Sequence, residues 1–209
     1  TYTAGYMSNV FLPGAFKHGI TYVGSSAQRK TAGLLDIPDG QFPQGEISGL
    51  VEKLEEDNAS NDLDADLIEA VSEGVIFSNL NYLLDTHINR MAIIRPSLSS
   101  RDQREALWEV FRYQGADYDF DFDFSNAAKL CCTEVIYRSL NGRENIEMPL
   151  NKRAGRFTLS ADDILDYYLQ NPDQFSFILL ASEDTTEPGD AALYDGDDGF
   201  ARLQGLLKH

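Results

Sequence analysis

The stretch Lys129-Leu130-Cys131-Cys132-Thr133-Glu134-Val135-Ile136-Tyr137 holds both cysteines of the chain. Cys132, Val135, Ile136, Ser139 and Leu140 recur at helical spacing on one face, and Gly142 supplies a stop. A thiol in the first turn of a helix lies beside backbone N–H groups that lack intrahelical acceptors, at the positive end of the helix dipole. A free thiol titrates at about 8.5, and such a position with an imidazole partner lowers that by several units, which makes the nucleophilic thiolate available near neutral pH. Burial as two small core residues is the commoner fate of an arbitrary cysteine pair. Adjacent cysteines close almost no loop, and a vicinal disulfide demands an unusual backbone, so both are expected as free thiols.

The 209 residues, 43% of them hydrophobic and 11% aromatic, suffice for one sizeable core, most simply a single domain spanning 1–209. With 34 acidic against 17 basic residues the formal net charge is -17, which argues against nucleic acid or an anionic membrane surface as the partner. The same excess suits a solvated surface in an extracytoplasmic setting, periplasmic or secreted. The first five residues show no basic start followed by an apolar run, and no stretch is long and apolar enough to span a bilayer. No glycine-rich phosphate cradle, zinc-ligand spacing or internal repeat is present, so no metal or cofactor is expected.

A cysteine nucleophile needs a base. Of the three histidines, His87 lies in a polar turn and His209 ends the sequence, whereas His18 opens a β-branched and aromatic run over residues 17–24 that reads as a strand. Residues 66–72 and 75–77 read as two strands joined by a tight Glu73-Gly74 turn. Glu69 alternates there with Leu67 and Val71, which puts a carboxylate on an otherwise apolar face. Buried, it requires a partner, and an imidazole nitrogen of His18 would supply one; on an edge strand it would instead face water.

Other segments are read more simply. Residues 6–16 suggest a short helix and a turn at Pro13-Gly14. Residues 25–65, punctuated by glycine and proline, read as an excursion from the core with a short amphipathic helix from Leu50. Helices are expected at residues 80–84, after Ser99 or Ser100, and after Ser160, with strands at 91–96 and 175–180. Tyr118-Asp119-Phe120-Asp121-Phe122-Asp123-Phe124 alternates strictly and predicts a half-buried strand with a solvated acidic face, its spacing lacking the glycine and glutamate of a calcium loop. The acidic stretch 184–209 reads as a surface tail.

The order of these features is similar to that of the YiiX/YebB-like family of cysteine hydrolases, circularly permuted relatives of the NlpC-type papain-like fold. The resemblance rests on Gly5-Tyr6-Met7-Ser8-Asn9 running on to Lys17-His18-Gly19-Ile20, on Ile68-Glu69-Ala70, and on Tyr118-Asp119-Phe120 leading to Leu130-Cys131-Cys132-Thr133-Glu134. It implies an α+β fold with a small, mostly antiparallel, barrel-like sheet packed against helices. Placed residue by residue, it implies Cys132 as nucleophile, His18 as base and then acid, Glu69 as the group that orients His18, and Tyr6 and Thr133 as oxyanion or substrate-binding residues. Cys131 stands where the family has tyrosine and Thr133 where it has serine. The implied activity is hydrolysis of an amide in a peptide or cell-wall fragment. Two alternatives stand beside it: lipid or ester acyl chemistry of the kind seen in lecithin:retinol acyltransferase-like proteins, and a non-catalytic binding domain with a vestigial triad.

Overall fold

Strands β2 (Leu67–Val71) and β3 (Gly74–Ser78) form the hairpin read from the sequence, with Ala70 opposite Val75. Gly74 has φ +115° and a Cβ there would lie 2.6 Å from the Ala116 carbonyl oxygen, so the turn needs glycine. The other edge of β2 pairs antiparallel with β1 (Ile20–Tyr22), Ile20 lying opposite Glu69. β2 is therefore the middle strand of three, and Glu69 is buried at 4% exposure instead of facing water from an edge. This computed structural model describes residues 14–59, 63–86, 88–125, 128–183 and 191–208. The helix and turn read over residues 6–16 lie largely outside that set, as do Tyr6, His87 and His209.

Across the sheet run α4 (Ser100–Tyr113), capped by the Ser99 hydroxyl, and α5 (Cys132–Leu140). Trp108 and Phe111 from α4 and Cys132 and Val135 from α5 meet Ile68, Val75 and Phe77 of the hairpin in one apolar cluster. A second antiparallel sheet orders β10 (Ala191–Tyr194), β9 (Phe175–Glu183) and β4 (Arg90–Pro96). Its cluster takes in Ile164 and Tyr168 of α6 (Ala161–Gln170), whose start is fixed by a Ser160/Asp163 capping box. Two short ladders complete the set: β5 (Asp117–Tyr118) parallel to β6 (Lys129–Leu130), and the hairpin of β7 (Asn151–Arg153) with β8 (Arg156–Thr158). The fold is α+β and mostly antiparallel, as expected, and among the described residues the strands form separate small sheets without closing a barrel.

Three segments depart from their sequence reading. Within residues 25–65 the described residues form α1 (Ser26–Thr31) and α2 (Gln44–Glu55), which starts well before the expected Leu50, and α3 (Leu80–Thr86) follows the hairpin. Leu34, Phe42, Leu50 and Leu54 join the same cluster as Trp108, so this excursion is part of the core. The reason is a buried cation. Arg29, 1% exposed, donates to the carbonyls of Gly24, Leu54, Glu56 and Ala65 and lies 5.2 Å over the Phe111 ring. Trp108 adds a 2.8 Å bond to the Leu34 carbonyl.

The alternating run at 118–124 is not a strand beyond Tyr118. Asp119 is buried, and its carboxylate accepts the N–H groups of Asp121 (2.8 Å) and Asp123 (2.7 Å), so a side chain takes the place of a ladder partner and turns the chain. Phe122 adopts φ +52°, Phe124 is buried and Phe120 is 56% exposed, which breaks the two-faced pattern. At the C-terminus, residues 191–194 add β10 to β9, and α7 (Gly196–Leu207) follows with Leu203 fully buried. Phe200, Leu203, Leu206 and Leu207 share one helical face on the second core, so this part of the expected tail is packed structure.

Replacing Arg29 with methionine keeps the length but leaves the buried carbonyls of Gly24, Leu54 and Ala65, and the more exposed one of Glu56, without their donor, each buried one costing about 1–3 kcal/mol. Arg29→Met is expected to lower unfolding free energy in urea by at least about 3 kcal/mol. A wild-type denaturation midpoint would contradict the tethering role.

Candidate active site

His18 precedes β1, and the register that sets Ile20 opposite Glu69 brings the two side chains together. His18 Nε2 lies 2.8 Å from Glu69 Oε2, both side chains almost completely buried. The segment leading into His18 is itself anchored, because the N–H groups of Ala15 and Phe16 each donate at 2.7 Å to the Asp162 carboxylate at the start of α6. On its other side His18 hydrogen-bonds the Cys132 thiol. Gly19 lets β1 approach the start of α5 this closely: a Cβ there would meet Ile136 Cδ1 at 2.7 Å.

Cys131 is the N-cap of α5 in extended conformation and Cys132 is the first helical residue, so the adjacent side chains diverge. Cys132 joins the cluster on the first sheet, while Cys131 joins the second with Phe16, Phe124 and Leu159. The Thr133 hydroxyl is buried too, 3.7 Å from the Cys131 sulfur, so it faces away from Cys132.

Electrostatics separate the two thiols. Burial opposes ionisation of Cys132, but the charge and hydrogen bond of His18, with the N–H groups of Gly19 and Thr133, hold its pKa below the ordinary thiol value. Burial likewise opposes a charged His18, yet the Cys132 thiolate and the Glu69 carboxylate raise it to about 9. Both shifts favour the thiolate–imidazolium form of the pair, which titrates as a unit. Cys131 has no cation beside it, and burial together with the Cys132 charge pushes it far up.

Several residues around this pair carried no assignable role in the sequence. Glu134 is fully buried in the first turn of α5; burial raises its carboxyl to about 7 although Arg138 bonds Oε1 at 2.8 Å, and Oε2 has no partner. Arg138 also donates to the Phe124 carbonyl at 3.0 Å, which ties α5 to the loop that Asp119 turns. The Glu134/Arg138 spacing of four was a visible helical ion-pair signal, but nothing in it announced the loop carbonyl. Among the described residues no group of three or more His, Cys, Asp or Glu is arranged to hold a metal ion, and no helix is long and apolar enough to cross a membrane.

The geometry brings together His18, Glu69 and Cys132, in that chain order, with the thiol at a helix start. Consistent with it, the family model of the permuted papain-like amidase enzymes (YaeF/YiiX, C92 family) matches residues 2–187. The chain belongs to this family. No curated protein and no solved structure matches it. The family assignment agrees with the YiiX-like resemblance read from the sequence, and it places the chain among papain-like amidases, a class of cysteine hydrolase. His18, Glu69 and Cys132 all fall within the matched span, whereas β10 and α7 lie beyond it.

Iodoacetamide is expected to alkylate Cys132 well below the ordinary thiol range of about 8.5 and to leave Cys131 unmodified. His18→Ala removes the cation and shifts the Cys132 profile to higher pH. Site-resolved mass spectrometry across pH checks both, and modification of Cys131 ahead of Cys132 would contradict the assignment of the thiols.

Proposed function

We propose that the protein hydrolyses an amide bond in a peptide or cell-wall-derived fragment through an acyl-enzyme on Cys132. The observation that carries this reading is the buried imidazole of His18 bonded to Glu69 on one side and to Cys132 on the other. That is the arrangement nucleophilic acyl transfer requires: a thiolate, a proton donor for the leaving group, and a third group fixing the imidazole.

In this mechanism Cys132 Sγ attacks the substrate carbonyl carbon and the C=O π pair moves to oxygen. The backbone N–H of Cys132, at the helix start, faces that developing oxyanion. Collapse of the intermediate breaks the C–N bond, and the His18 imidazolium protonates the departing amine. The now neutral His18 takes a proton from water, hydroxide oxygen attacks the thioester, and the acid leaves as Cys132 returns to thiolate. Glu69 keeps the ring in place and stabilises the imidazolium in both half-reactions. The single domain proposed for residues 1–209 thus carries its whole catalytic set just ahead of β1, on β2 and at the start of α5.

With peptidoglycan-derived peptides as substrates and newly formed amine as the readout, Cys132→Ala is expected to lose turnover by at least about 10³-fold. Wild-type turnover in that variant would sink the mechanism. The pH profile carries a second test. Because the folded-state pKa of His18 is raised from 6.5 to about 9, the protonated acid persists through neutral pH and kcat/KM falls as pH rises through about 9. Glu69→Gln still holds the ring but removes one of the charges raising that value, so the alkaline limb moves to lower pH. An unmoved limb would show that Glu69 does not tune His18.

A further inference from the structure

His18 lies outside the β ladder. The first sheet takes up the chain only at Ile20, so residues 14–19 run ahead of any strand among the described residues. An imidazole shared between Glu69 and Cys132 nevertheless has to be placed to within about 0.5 Å. The backbone that carries it is held at both ends instead. At the far end Gly19 packs on the start of α5, where a Cβ would lie 2.7 Å from Ile136 Cδ1 and 3.7 Å from the Cys132 carbonyl oxygen. At the near end one carboxylate clamps the chain: the N–H groups of Ala15 and Phe16 donate to Asp162 Oδ2 and Oδ1, each at 2.7 Å. Gly14, at φ +123°, completes the fit, since a Cβ there would fall 2.5 Å from Asp162 Cγ. The Phe16 side chain is buried in the same cluster as Leu159, Ala161 and Ile164, so backbone and side chain are both fixed at the start of α6.

The first turn of α6 carries two carboxylates with different partners. Asp163 closes the capping box with Ser160 and pairs with Arg153. Asp162, one residue earlier, is left out of the box and faces the chain before β1. Bonds from N–H groups to a carboxylate are charge-assisted and about twice as strong as neutral ones, which makes this a firm contact between residues 146 apart in sequence. We propose that Asp162 is a positioning residue of the candidate active site: by clamping Ala15 and Phe16 it sets where His18 stands, and so whether the imidazole reaches Glu69 and Cys132 together. The inference rests on the His18–Cys132 pair of the cysteine-hydrolase reading and adds to it a residue that touches neither the substrate nor the reacting atoms. Through α6 the second core thereby governs chemistry carried out on the first sheet.

Asp162→Asn keeps the shape but exchanges one acceptor oxygen for an amide that cannot accept, and Asp162→Ala removes both acceptors. The rate of Cys132 alkylation by iodoacetamide across pH, with site-resolved mass spectrometry, reads the nearness of the imidazole without any substrate. Both variants are expected to move that profile to higher pH, the direction of His18→Ala, with alanine moving it further. On peptidoglycan-derived peptides they are expected to lower kcat about 10- to 100-fold with KM near its wild-type value. In a His18→Ala background the same substitutions change the alkylation profile no further, because the group they position is gone. Gly14→Ala, which strains the clamp from its other side, is expected to give the same signature. An unmoved profile in Asp162→Ala would overturn the proposal. So would a shift of equal size with and without His18, which would mean that the carboxylate only supports the fold around α5. A wild-type profile indifferent to His18 would remove the pair, and the Asp162 role with it. Wild-type protein with the His18-dependent profile but no amide hydrolysis would overturn the hydrolase reading alone, because the Asp162 role is read on alkylation.

Discussion

The structure depends on keeping a charged imidazole and a charged sulfur together out of water. Desolvating both costs several kcal/mol, and their attraction offsets that only where geometry is close and the remaining hydrogen-bonding positions are filled. Here Glu69 fills one side of His18 and the N–H groups of Gly19 and Thr133 reach the sulfur on the other. Each requirement has a counterpart in the backbone. Glu69 must come from a middle strand, Cys132 must open a helix, and the chain ahead of β1 must bring His18 between them. Glycine at position 19 allows the last approach.

The two apolar clusters part at Cys131 and Cys132. Because one thiol caps α5 and the next begins it, neighbouring residues enter different cores and different electrostatic surroundings. One sulfur has the His18 cation beside it, which lowers its pKa, while burial and neighbouring negative charge push the other up. Adjacent residues of the same chemistry thereby have their acidities pushed in opposite directions. The loop from Tyr118 to Phe124 closes the arrangement from the second side, fastened to α5 through Arg138.

Much of the candidate site was legible in the amino-acid order. Helical spacing after Cys132 marked α5, and alternation around Glu69 marked a carboxylate on an apolar strand; both depend on local periodicity, which survives in a single sequence. What local pattern could not convey was partnership over distance. Arg29 lies in a stretch that reads as a glycine-punctuated excursion, yet four carbonyls from three segments draw it into the core and hold that stretch against it. Asp119 belonged to a flawless alternation, and its carboxylate bent that would-be strand into a turn by competing for the N–H groups of Asp121 and Asp123. The apolar residues of α7 were visible in sequence, but the acidic residues around them masked the helical face.

The proposed mechanism depends on the protonation state of His18, and ¹⁵N NMR of the histidine side chains across pH measures it directly. It predicts an imidazole that stays protonated through neutral pH, titrates near 9, and returns toward its ordinary value of 6.5 in Cys132→Ala, where the thiolate is gone. A His18 that titrates near 6.5 in the wild-type protein, unmoved by the loss of Cys132, would contradict the buried thiolate–imidazolium pair.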